Sequence, residues 1–155
     1  MHRSIRILLF AAAATLLGGA QVTKPFNPQI QMGGDLSADK MREQNLNVVK
    51  KAVEGMRETL PQKVDDYTQL VAIDGNGTRL IYTFEVNTGA KSDETMRKEG
   101  AKMAPRILEG ICRSAERFMD ADISLTYRYI SSATRTEVLR VDADKSICPK
   151  YPARK

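Results

Sequence analysis

Residues 123–129, ISLTYRY, alternate apolar and polar side chains without a break. Ile123, Leu125, Tyr127 and Tyr129 fall on one side, and Ser124, Thr126 and Arg128 on the other. A period of two is the mark of a strand with one buried face. The turn-forming SSATR follows, and TEVLRV then supplies a partner strand. An earlier stretch, QLVAIDGNGTRLIYTFEV, repeats the plan, with two β-rich runs flanking Gly75-Asn76-Gly77. That is a hairpin signal, and Leu80, Tyr82, Phe84 and Val86 share its core face.

Two segments of helical period alternate with these hairpins. Ser37 reads as an N-cap, followed by Met41, Asn45, Val48, Val49, Ala52, Val53, Met56 and Leu60. Pro61 ends this amphipathic helix, and Gly55 weakens it slightly. A second helix starts near Ser92 and keeps its period from Met96 through Met103, Ile107, Leu108, Ile111, Cys112 and Ala115 to Phe118. Pro105 lies inside it and predicts a kink or split near residue 104. The order helix, hairpin, helix, hairpin predicts an α+β fold. We expect a two-layer sandwich: an antiparallel sheet of about four strands packed on two main helices, in the order α-β-β-α-β-β. Residues 37–148 read as one such domain.

The N-terminus has the three parts of a secretory signal peptide. Arg3 and Arg6 precede an apolar run from Ile7 to Leu17, and Gly18-Gly19-Ala20 offers a cleavage site. That run has 11 residues, too few to span a bilayer as a helix. Cleavage after Ala20 leaves Gln21 first, so no cysteine stands there to take a lipid. The expected location is periplasmic or secreted, without a lipid anchor. Residues 21–36 hold two prolines and paired glycines and read as a flexible leader, and 149–155 as a basic tail. Cleavage removes two arginines and no acid, which lowers the formal charge from +5 to +3. No run of four basic residues occurs, and aromatics do not interleave with them, so nucleic acid is not an expected partner.

Cys112 and Cys148 are the two cysteines. In an oxidising compartment they read foremost as one disulfide. Free or intermolecular thiols, and a metal or redox role, are the alternatives. No C-x-x-C occurs, and the single histidine, His2, leaves with the signal peptide.

Other motifs read as structure. Asp74, Asn76, Thr78 and Glu85 have the spacing of calcium-loop ligands, but the position that needs glycine is Arg79. DADIS and DADKS, at 120–124 and 142–146, could each offer two carboxylates to a cation, yet both sit where aspartate caps and turns. SADK at 37–40 matches S-x-x-K, with no K-T-G after it. A mature chain without histidine excludes histidine-based triads. The methionines at 41, 56, 96, 103 and 119 fit helical core faces rather than a metal cluster. No metal site and no cofactor is expected.

Taken together, GNGTRLIYTFEV, the helix ending near GICRS, ISLTYRYI and the strand closing on SIC resemble small secreted α/β proteins of Proteobacteria. The fold of that group is shared by the AspS-type pilotins of type II secretion. The resemblance covers roughly residues 40–148 and implies a helix-on-sheet domain with Cys112 and Cys148 bridged. Pilotins escort secretin subunits to the outer membrane.

The functional expectation is an exported, non-enzymatic binding protein with a protein or peptide partner in the cell envelope. A pilotin-like assembly factor for a secretin or envelope complex is one alternative. A small hydrolase using carboxylates is the other. Met96, Met103 and Ile107 are the candidate partner groove, because methionine repacks readily around varied apolar ligands.

Overall fold

The computed structural model of the chain describes residues 37–148. The expected signal peptide, leader and basic tail lie outside the described residues. Helix α1 (Ala38–Arg57) leads into five strands and two further helices: β1 (Gln62–Lys63), β2 (Thr68–Asn76), β3 (Arg79–Val86), α2 (Asp93–Ser114), α3 (Glu116–Asp120), β4 (Ser124–Ser131) and β5 (Glu137–Ala143). The strands form one sheet in the order β1-β2-β3-β4-β5.

The sheet corrects two sequence expectations. It is mixed rather than antiparallel, because β3 and β4 run parallel from Arg79↔Ser124 to Val86↔Ser131. A crossover through α2 and α3 carries the chain back to the starting end of β3, so the next strand repeats its direction. It also has a fifth strand. β1 is two residues long and pairs Gln62 with Leu70 and Lys63 with Gln69, too short for any alternation to show.

A third expectation concerned Pro105. Helix α2 runs through it to Ser114. Pro105 and Ala101, whose carbonyl loses its donor, are both exposed, so water can take the missing bond. The chain breaks later, at Ala115 (φ −114°, ψ 21°). There the Ser114 hydroxyl donates back to the Gly110 and Ile111 carbonyls, a bond that competes with continuation of the helix.

Both long helices lie on one face of the sheet. Val48, Val49, Ala52 and Val53 of α1 meet Ile73, Leu80 and Leu125, with Ile111 and Cys112 of α2 joining the same buried cluster. Helix α1 packs over β2 and β3, and α2 over β5. Two glycines permit these approaches. A Cβ at Gly100 would meet Leu139 at 3.3 Å, and one at Gly75 would meet Val49 at 2.7 Å. The hairpin turn follows, with Gly77 at φ +59°. Buried Asn45 ties α1 to the C-cap of α3, its side-chain amide donating to the Ala121 carbonyl at 2.5 Å.

Cys112 and Cys148 form a disulfide. It joins α2 to the turn just beyond β5. Of the aspartates read as caps and turns, Asp144 and Asp122 stand in turns, whereas Asp142 lies within β5 and pairs with Arg79. Asp144 accepts from the Ser146 and Ile147 amides at 2.8 and 3.1 Å. Asp122 adopts φ +56° and pairs with Lys145 at 3.3 Å. Asp74, the first residue of the calcium-like spacing, pairs with Arg57 at 3.1 Å. Among the described residues no group of three metal-ligating side chains gathers, and no helix is long and apolar enough to cross a membrane.

Candidate binding groove

The strip of sheet between the two helices is floored by aromatic rings. Leu80 starts the helix-facing row of β3, and Tyr82 and Phe84 continue it. Their partners on β4 are Tyr127 and Tyr129. Register therefore brings four rings together on one face. Tyr82 and Tyr127 lie 5.1 Å apart between centroids, Phe84 and Tyr127 also 5.1 Å, and Phe84 stacks on Tyr129 at 4.9 Å. Such contacts add about 0.5–1.5 kcal/mol per pair beyond area burial.

Phe84 is buried, but the three tyrosines remain half-buried on the face that the helices cover. The reason is where the helices sit. One lies over β2 and β3 and the other over β5, so β4 has no helix squarely above it. Burial pushes the Tyr82 and Tyr129 phenols well above their ordinary range, with the neighbouring Tyr127 adding to it. Asp65, in the β1–β2 connection, raises Tyr129 further. Burial raises Tyr127 as well. All three are neutral hydroxyls at physiological pH. Together the rings offer partly covered apolar area, and their phenol groups lie largely buried within it.

Met96, Met103 and Ile107 stand at i, i+7 and i+11 of α2, which a helix stacks along one stripe. Their surroundings differ. Met96 is buried at 7% exposure, Ile107 is half-buried against the core, and Met103 is 55% exposed. Glu99 lies beside this stripe and pairs with Lys91, in the loop leaving β3, at 2.7 Å. Met103 is exposed on α2, Ile107 packs against the core, and Met96 is buried. With α2 unbroken at Pro105, any groove lies between α1 and α2 rather than between two halves of α2.

Sequence reasoning assigned the tyrosines to the core face and stopped there. Their residue type was the available signal, because tyrosine combines an apolar ring with a group that needs water or a partner.

Among the described residues, each carboxylate whose pKa moves is lowered rather than raised. Lys63 holds Asp66 down, hydrogen bonds from Thr136 and Thr134 hold Asp93 down, and Ser146 holds Asp144 down. A carboxyl acid poised for proton donation would shift the other way.

No family model matches the chain. No curated protein matches it in sequence. Solved structures do match in fold. A Pseudomonas aeruginosa protein described as a candidate secreted protein superposes with a TM-score of 0.60 at 17% identity, over 75% of this chain and 99% of that one. The pilotin EpsS from the type 2 secretion system of Vibrio vulnificus superposes with a TM-score of 0.51 at 12% identity, over 71% and 96%. The chain thus has a pilotin-like fold, as its resemblance implied.

Proposed function

We infer that this chain is an exported, non-enzymatic binding protein. It holds a segment of a protein partner in the cell envelope against the aromatic strip between α1 and α2. The observation that carries this reading is the incomplete cover over Tyr82, Tyr127 and Tyr129. A face built for burial leaves three aromatic rings only half-buried, and Met103 of α2 is exposed. A partner helix with apolar residues at i, i+3, i+4 and i+7 would complete that layer.

A second reading, an assembly factor for a secretin or envelope complex, is favoured by one observation: the fold likeness to EpsS, a pilotin of a type 2 secretion system.

The test is site-specific photocrosslinking in the native host. A photoreactive residue replaces Met103 in one strain and Arg140, on the opposite sheet face, in another. The reading requires one envelope protein captured at 103 and absent at 140. Capture of a secretin would select the second reading. Equal capture of the same protein at both positions, or none at 103, would defeat both.

A further inference from the structure

The sheet face turned away from the helices carries Arg79, Ile81, Thr83 and Glu85 of β3, then Ser124, Thr126, Arg128 and Ile130 of β4. Arg140 and Asp142 of β5 continue it. Most arginines there have a carboxylate at hand. Arg79 donates through Nη1 to Asp142 at 2.9 Å and to the Thr126 hydroxyl at 3.0 Å. Thr126 in turn donates to Asp142 at 2.5 Å. Arg140 grips Glu137 through Nε and Nη2, each at 3.0 Å. Arg135 pairs with Glu85.

Arg128 differs. It stands directly between Thr83 on β3 and Arg140 on β5. None of the ion pairs among the described residues includes it. Its Nε is buried without a hydrogen-bond partner, and so is the hydroxyl of Thr83, a residue only 2% exposed. Two orphaned polar groups thus face each other across one strand pair. Leaving such a group unsatisfied destabilises a fold, because the lost water bonds are not replaced. Arg113 of α2 also has an unpartnered Nε but is ion-paired with Glu109, whereas Arg128 has no carboxylate partner among the described residues and stands beside a second orphaned group.

We propose that Arg128 and Thr83 form a carboxylate-binding site on the uncovered sheet face, occupied by an Asp or Glu side chain of a protein partner. Charge points to a monoanion. Arg79, Arg135 and Arg140 are matched by Asp142, Glu85 and Glu137, and Arg128 leaves one positive charge over. Shape points to a carboxylate, since the planar guanidinium fork pairs with it through two parallel bonds. The guanidinium turns outward to offer Nε–H and one Nη–H. The Thr83 hydroxyl, uncovered by that turn, donates a third bond. A sheet face is broad rather than concave, so it suits a side chain on a protein surface better than an engulfed small molecule. The site lies on the opposite face from the aromatic strip and stands independently of it.

Arginine Nε–H resonances of the 15N-labelled protein test this directly. The Arg128 signal is identified by its loss in Arg128→Lys. The probes are the peptide acetyl-Gly-Glu-Gly-amide, its Gln counterpart and sodium phosphate, at constant ionic strength. The Glu peptide should move the Arg128 signal saturably, with Arg79 and Arg140 little changed, and the Gln peptide should not. Binding should weaken at least fivefold in Arg128→Lys, which keeps the charge but loses the fork. Thr83→Val should raise the melting temperature, because it removes the orphaned hydroxyl, and should weaken binding at least twofold. Parallel, unsaturating shifts of all arginine signals would overturn the proposal. Tighter binding of phosphate than of the Glu peptide would overturn the carboxylate assignment. If the Arg128 variants fail to fold, undiminished binding in Thr83→Val would also overturn the site.

Discussion

Gly75 on β2 and Val49 on α1 compete for one space: a side-chain carbon at Gly75 would lie 2.7 Å from Val49 Cγ1 and 3.5 Å from Val53 Cγ2. The glycine is therefore a packing requirement of the helix that crosses it, as well as part of a hairpin. Gly75→Ala should destabilise the fold by about 1–3 kcal/mol, the usual cost of overpacking. Adding Val49→Ala opens the space, so the double variant should lose less than the two single losses combined. Urea unfolding of all four proteins measures this coupling. Simple additivity would contradict it.

The bridge between Cys112 and Cys148 spans a sequence separation of 36 residues. On the chain-entropy account, opening a loop of that size costs roughly 3–4 kcal/mol. Replacing both cysteines with serine should lower the denaturation midpoint accordingly and leave far-ultraviolet circular dichroism unchanged below the transition. Reductant should lower the wild-type midpoint and leave the double variant unmoved.

Asp93, in the first turn of α2, accepts from the Thr136 hydroxyl at 2.5 Å and from Thr134 at 2.8 Å. These bonds, Thr136 foremost, hold its pKa below the ordinary 3.8. A lowered folded pKa means that the contribution is present above the unfolded value and fades as pH falls through the folded one. Wild type should therefore melt above Asp93→Asn at pH 6, and the gap should narrow as pH drops below about 4. A gap unchanged down to pH 2.5 would show that the charge plays no part.

Met96 and Met103 share a stripe of α2 but not an environment. Met96→Ala should cost about 2 kcal/mol or more through a buried void. Met103→Asp should change stability by about 0.5 kcal/mol at most, because Met103 is largely exposed. It should nevertheless abolish partner capture at the aromatic strip. Thermal melts of the two variants, with crosslinking for the second, check this.

What could be read from sequence follows the reach of each signal. The alternation of Ile123 to Tyr129 assigned a face to every residue of β4 because one side of that strand is buried. It could not say that β3 would lie beside it in parallel, since that follows from where the α2–α3 crossover returns the chain. Proline marked a break at 105 that the structure does not make, because the lost bond lies on the wet side of α2. Period also sets Met96, Met103 and Ile107 on one stripe of α2. How far each is covered depends on the spacing of two helices, which no single segment encodes. The same limit hid the aromatic strip and the unpaired Arg128.

The parallel junction of β3 with β4 divides the chain into two near-equivalent pieces, each a long helix with an antiparallel hairpin. Only residues 87–92 connect them covalently between β3 and α2, and the disulfide lies wholly within the second piece. Each hairpin closes over short sequence distances, whereas the seam between β3 and β4 joins residues more than forty positions apart. The seam is therefore where assembly is slowest. It is also where the chain could be cut and supplied as two polypeptides, one stapled and one not, that rebuild the sheet on mixing.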